Sequence, residues 1–175
     1  MNTETVEAHQ IYRTIMAEVK LRLLAAERVS QAAVPLTGLA ALDSEFCFLQ
    51  IRKVIELITF SAMKREEGRY AKLREHDRQA NQRDHGDPAK DWHAPEILKR
   101  LIGLSPNVLP IPIAQPLSVG PGISHFERQS IAVNHGRLIE YYKKSGGYLH
   151  ARNPLTSDYA AHVEHERARY ASAAG

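Results

Sequence analysis

The segment GYLHARNPL, Gly147 to Leu155, gathers the side chains best suited to holding a small anion or moving a proton. Arg152 offers a planar fork that grips a phosphate or carboxylate through paired hydrogen bonds, and His150 exchanges a proton near neutral pH. Asn153 can orient either one. The glycines before these residues and Pro154 after them predict a turn between two helices, and polar groups on such a turn face ligands. The same residue types also serve structure, His150 and Asn153 by bonding the loop backbone.

Arg52 and Glu56 stand four residues apart in the most apolar part of the chain, where a charge must be paired or solvated. The spacing predicts an ion pair, or a polar pocket that His150 or Arg152 joins from the loop. From residue 128 to 157 the chain carries Arg128, Arg137, Lys143, Lys144 and Arg152 against Glu140, a local bias that suits phosphate. Trp92, just ahead of a predicted helix, reads as a packing anchor because its large apolar area needs burial. His162, His165 and Glu166 lie close together, yet HVEHE matches no zinc signature, so no metal and no cofactor are expected. Glycine-rich nucleotide loops and the GxSxG elbow are absent from the sequence.

These groups need helices to position them. Tyr12, Met16, Val19, Leu23 and Ala26 form one stripe of a first helix, Thr3 to about Gln31. Pro35 and Gly38 interrupt it. Asp43 is placed to cap a second helix on which Cys47, Ile51, Val54, Ile58 and Ala62 repeat the spacing, and Phe46 to Met63 is apolar nearly all round, which predicts a buried centre. Residues 64 to 83 are charged and predict an exposed continuation. After the turn-rich DHGDPAK, Pro95 starts a short helix, Glu96 to Ile102, that Gly103 can end.

Pro106, Pro110, Pro112, Pro116 and Pro121 predict an extended strap over about 105–122. Ser124 and Glu127 have capping-box spacing, and Asn134 can cap a helix bearing Leu138, Ile139, Tyr141 and Tyr142. Lys143 and Lys144 suit that helix's last turn and Gly146-Gly147 its end, before a final helix from about Thr156 to Ser172. The fold class expected is all-α: a four- to five-helix bundle with a Pro-rich extended segment.

Composition sets the remaining bounds. The chain has 175 residues, 43% of them apolar and 25% charged, which is ordinary for one globular domain spanning residues 1 to 175. Cys47 is the single cysteine, so an internal disulfide is excluded and a reducing compartment fits. Met1 to Gln10 lacks the basic and then apolar layout of a secretory signal. Phe46 to Met63 holds Arg52, Lys53 and Glu56, each costing about 2.5 kcal/mol or more at a bilayer centre, so no membrane span and a cytoplasmic location are expected. The net charge of +3 leaves a protein partner or RNA open, and a homodimer is compatible with either.

Through LQIRKVIELI, WHAPEILKRL and GYLHARNP, Leu49 to Ile58, Trp92 to Leu101 and Gly147 to Pro154, the chain resembles a widespread group of uncharacterised bacterial helical proteins. An arginine-bearing helix and a late Arg-Asn pair before a last helix also resemble HEPN domains, helical bundles common in bacterial toxins and antiviral systems. That resemblance implies a metal-independent endoribonuclease or an RNA-binding protein in a defence setting, with Arg152 and His150 or His162 as its working residues. HEPN ribonucleases separate the Arg and His by a short spacer. Here Asn153 to Ala161 make a longer one, while Arg69/His76, Arg78/His85 and Arg128/His135 match the shorter spacing, as short motifs do by chance. The leading expectation is therefore a helical binding or regulatory module. Arg152→Ala is expected to abolish ligand binding, measured by titration, and to leave the melting temperature within a few degrees, since an exposed substitution costs under about 0.5 kcal/mol.

Overall fold

The computed structural model describes residues 3–80, 86–129, 134–149 and 164. The protein is all-α: α1 (Thr3–Ser30), α2 (Ala40–Arg65), α3 (Glu67–Ala80), α4 (Ala94–Leu104) and α5 (His135–Leu149), with a 3-10 turn at Pro88–Lys90 and one hairpin, β1 (Leu117–Gly120) and β2 (Ile123–His125). Among the described residues, no helix is long and apolar enough to cross a membrane. The chain divides into two compact units, the first holding 3–15 and 56–139, the second holding 16–55 and the residues from 140 onward.

In the first unit, Ala62 of α2, Tyr70 of α3, Ile97 and Leu101 of α4, and Val108 form one buried cluster, with Phe60, Met63 and Leu109 packed against it. The strongly amphipathic α4 buries Ala94, Pro95, Ile97, Leu98 and Leu101 while Glu96 and Lys99 stay in water. His93 is its N-cap and Pro95 lies in its first turn, where a missing N–H costs nothing. Gly103 does not end α4. The helix continues to Leu104, and the Ser105 N–H closes it on the Leu101 carbonyl at 2.9 Å.

The expected exposure of residues 64 to 83 fails at two positions: Tyr70 is fully buried and Arg74 is 2% exposed. A charge period hides them, because each is flanked by residues that do face water. Asp91 makes their burial possible. Its Oδ2 accepts from the Tyr70 hydroxyl at 2.6 Å and lies 2.9 Å from Arg74 Nε. Asp77 Oδ2 adds a second carboxylate, 3.1 Å from Arg74 Nη1 and 3.3 Å from Arg100 Nε. Burial, and then the Asp91 carboxylate holding its proton, push the Tyr70 phenol well above its usual range.

The proline strap begins as predicted, anchored by Arg65 Nη2 to the Asn107 carbonyl at 3.0 Å and by Arg69 to the Leu104 carbonyl. Beyond it the expectation breaks down. Ser124 caps no helix; it pairs with Ser118 in the hairpin, whose turn at Pro121-Gly122 places Gly122 at φ +71°. Proline followed by a left-handed glycine is the residue pair that a type II turn requires.

In the second unit, Asp43 lies inside the first turn of α2 and does not cap it. Its carboxylate instead accepts from the Thr37 hydroxyl and from the Leu36 and Thr37 N–H groups at 2.7, 2.8 and 3.0 Å, which ties down the turn between α1 and α2 and lowers its pKa. Arg22 bridges Glu18 Oε1 and Gln50 Oε1, at 2.6 Å and 2.8 Å. Cys47 is half-buried with Sγ 3.5 Å from the Ala26 carbonyl, and burial raises its thiol pKa. The stripe predicted for α1 buries Val19 alone; Leu23 is 50% exposed.

The Asp91 contacts generate a stability prediction. Asp91→Ala removes a carboxylate facing a buried guanidinium and is expected to cost about 3 kcal/mol in urea unfolding, the lower end for breaking a buried pair because Asp77 remains. Tyr70→Phe is expected to cost about 1 kcal/mol.

Candidate functional site

Helix α5 starts as the sequence predicts. Asn134 Oδ1 accepts from the Gly136 and Arg137 N–H groups at 2.8 and 3.3 Å, satisfying donors that a helix start leaves open. Its end lies elsewhere than predicted. Gly146 and Gly147 are helical, and so are Tyr148 and Leu149, so the opening residues of the presumed GYLHARNPL turn complete α5. His150, Arg152 and Asn153 lie outside the described residues, as do His162, His165, Glu166 and the final helix apart from Glu164.

What the structure brings together is Arg52 and α5. The Arg52 Nη2 donates to the Tyr142 hydroxyl at 2.6 Å, and the guanidinium carbon stands 4.0 Å from the centre of the same ring. Tyr142 is 3% exposed and Arg52 half-buried, so the cation–π contact is partly withdrawn from water, which strengthens it. Gly146, one turn later, explains the close approach: a Cβ there would sit 2.9 Å from Arg52 Nη1. Ser145 closes this face, buried and donating to the Tyr142 carbonyl at 2.9 Å. One turn along α2, Phe48 stacks on Tyr148 at 4.1 Å with the ring planes 2° apart.

The other predicted site residues are placed differently. Lys144 is exposed and its Nζ lies 2.7 Å from Glu140 Oε1; the hydrogen bond to that carboxylate raises its pKa and cancels part of the local positive bias. Lys143 is exposed. Glu56 is half-buried and belongs to the first unit. No protein-family model, curated protein or solved structure matches the chain.

Two of the chance HEPN-like pairs have structural uses for their arginines. Arg69 holds the Leu104 carbonyl, and Arg78 grips Glu75 through Nε and Nη2 at 2.8 and 2.6 Å, which holds the Glu75 carboxyl at about 2. Trp92 is no packing anchor: it is 72% exposed, touching His93 edge-on at 5.7 Å, because α4 buries Ala94 and Pro95 at that end instead.

Sequence reasoning missed a groove of about 870 Å³ in the first unit, lined by Glu7, His9, Tyr12 and Ile15 of α1 and by Lys64 and Arg65 of α2. Its two walls are some fifty residues apart in sequence, and neither wall has a motif of its own. Lys64 pairs with Glu67, so the rim carries both signs.

The Arg52 contact is testable by a double-mutant cycle. In an Arg52→Ala background, Gly146→Ala is expected to stabilise the protein by up to about 1 kcal/mol, the helix preference of alanine over glycine. In the wild type the same substitution displaces the guanidinium and that gain is expected to vanish or reverse. Equal effects in the two backgrounds, read by thermal unfolding, would show that Gly146 is not there for Arg52.

Proposed function

We propose that this chain is a helical binding module that recognises a protein partner through apolar surface. The observation that supports it is a run of large apolar side chains left in water in the second unit. Leu21, Leu23 and Leu24 of α1 are 67%, 50% and 43% exposed, and Val34 and Leu36 of the following turn are 71% and 66% exposed. Single exposed leucines are ordinary on a soluble surface, but neighbouring ones mark interaction sites. Leu21 and Leu24 stand three apart on one helix, the spacing by which a helix face meets a partner. Arg52, in this reading, shapes α5 and has a structural task.

A second reading, an RNA-binding or HEPN-like endoribonuclease function in bacterial defence, draws on exposed Arg137 and Lys143 of α5, the helix that leads toward Arg152. The two readings respond oppositely to salt. Phosphate contacts release counterions, so RNA retention falls steeply as salt rises, whereas apolar contacts hold.

Pull-down at low and high salt, with the wild type and a Leu21→Glu/Leu24→Glu variant, separates them. A protein retained at high salt and lost from the variant is the expected result. RNA retained only at low salt, unaffected by that variant and lost from Arg152→Ala, would replace the first reading by the second.

A further inference from the structure

The groove in the first unit runs between α1 and the corner where α2 gives way to α3. Its α1 wall is a stripe of Ala8, Ile11, Tyr12 and Ile15, spaced three and four apart, so that one side of the helix faces the space. Ala8, Ile11 and Ile15 are half-buried and Tyr12 is 37% exposed. Arg65 of α2 and Gly68 of α3 stand on the opposite wall, and a Cβ added at Gly68 would meet nothing within 4 Å. At about 870 Å³ the groove has the size of a small-molecule site.

The charges around it decide what can fill it. Lys64 and Glu67 pair with each other. Arg65 is held by the Glu66 carboxylate at 3.6 Å and by the Asn107 carbonyl at 3.0 Å, contacts made by Nε and Nη2 that fix the guanidinium and leave Nη1 to donate. Glu7, on the other wall, has no ion-pair partner among the described residues. A molecule that fills the groove draws Glu7 and Arg65 out of water, and each then needs an opposite charge. An uncharged apolar ligand supplies neither. A fatty acid or a nucleotide supplies an anion for Arg65 but sets it beside Glu7 and Glu67.

We infer that this groove binds a short zwitterionic peptide with apolar side chains, its ammonium on Glu7, its carboxylate on Arg65 and its side chains against Ile11 and Ile15. Such a ligand brings one charge of each sign and an apolar body, which is what the two walls present. An extended dipeptide separates its two charges by about 7 Å, so one end can meet each wall. The peptide amide it buries also needs a partner, and the Tyr12 hydroxyl, which has no hydrogen bond among the described residues, can donate or accept. The site lies in the first unit and is independent of the Leu21 and Leu24 surface proposed above.

Calorimetric titration of the full chain with leucyl-leucine tests it. The wild type is expected to bind in roughly the submillimolar range that a ligand of this size reaches. N-acetyl-leucyl-leucine, without the ammonium, and leucyl-leucine amide, without the carboxylate, are each expected to bind at least about tenfold more weakly. The variants assign the ends: Glu7→Gln is expected to lose the preference over the acetylated form alone, and Arg65→Gln the preference over the amide alone, with Arg65→Lys restoring part of it. Should Arg65→Gln fail to fold, the exposed Glu7 and the capped peptides still decide the matter. Gly68→Trp is expected to fill the groove and block binding with an unchanged circular dichroism spectrum, and Leu21→Glu/Leu24→Glu to bind as the wild type does. No binding of leucyl-leucine up to about 10 mM, well past the affinity expected of such a ligand, would overturn the inference. Capped peptides that bind as tightly as the free one, or binding that survives Gly68→Trp, would overturn it as well.

Discussion

Burying the Arg74 guanidinium is the constraint from which the first unit follows. A cation 2% exposed is tolerated only if opposite charge reaches it, and the Asp91 carboxylate does so at 2.9 Å. Asp91 closes the 3-10 turn at Pro88–Lys90 and leads directly into the cap of α4, so neutralising the charge also fixes where α4 begins. Tyr70 completes the arrangement by giving Asp91 a short hydrogen bond from inside the apolar cluster. With α3 and α4 thus held together, Ile97, Leu101 and Val108 have a floor to pack on. Arg69 of α3 then holds the carbonyl of Leu104, where α4 ends and the extended segment begins.

Helical spacing made most of this visible before any coordinates. The apolar repeat from Cys47 to Ala62 located α2, and α1 ends within a residue of its expected limit. Asn134 was readable as a cap because a short amide at a helix start has few other uses. What spacing cannot reveal is which partner a polar residue finds across the chain. Asp43 has the chemistry of a cap and was spent on the preceding turn; Arg74 sits in a charged run that reads as solvated; Gly103 and Gly146 carry the mark of helix ends but lie inside helices. For Arg74 and Gly146 a contact distant in sequence overrode the local preference.

The candidate site was legible to the same extent. Arg52 announced itself as a cation that needed company in an apolar helix, and it has company, but the face of Tyr142 was not foreseeable from an i, i+4 rule. Nor was the hairpin, since five prolines argued against regular structure and only Pro121-Gly122 carried a turn signal. The groove beside α1 has no sequence mark, because its lining is assembled from residues that are each unremarkable in their own segments.

Each of the two units is assembled from two stretches of chain, 1–15 with 56–139 in the first and 16–55 with the residues from 140 onward in the second. The hydrogen bond between Arg52 and Tyr142 closes a separation of ninety residues. Loop closure over that distance opposes early formation, while the contacts among α3, the 3-10 turn and α4 are local and quick to form. On a ribosome α3 and α4 are therefore in hand while α5 is still to come. Until Tyr142 and Tyr148 emerge, the apolar side of α2 that Phe48 and Arg52 occupy waits without its partner, and that interval is when a chaperone has most reason to attend it.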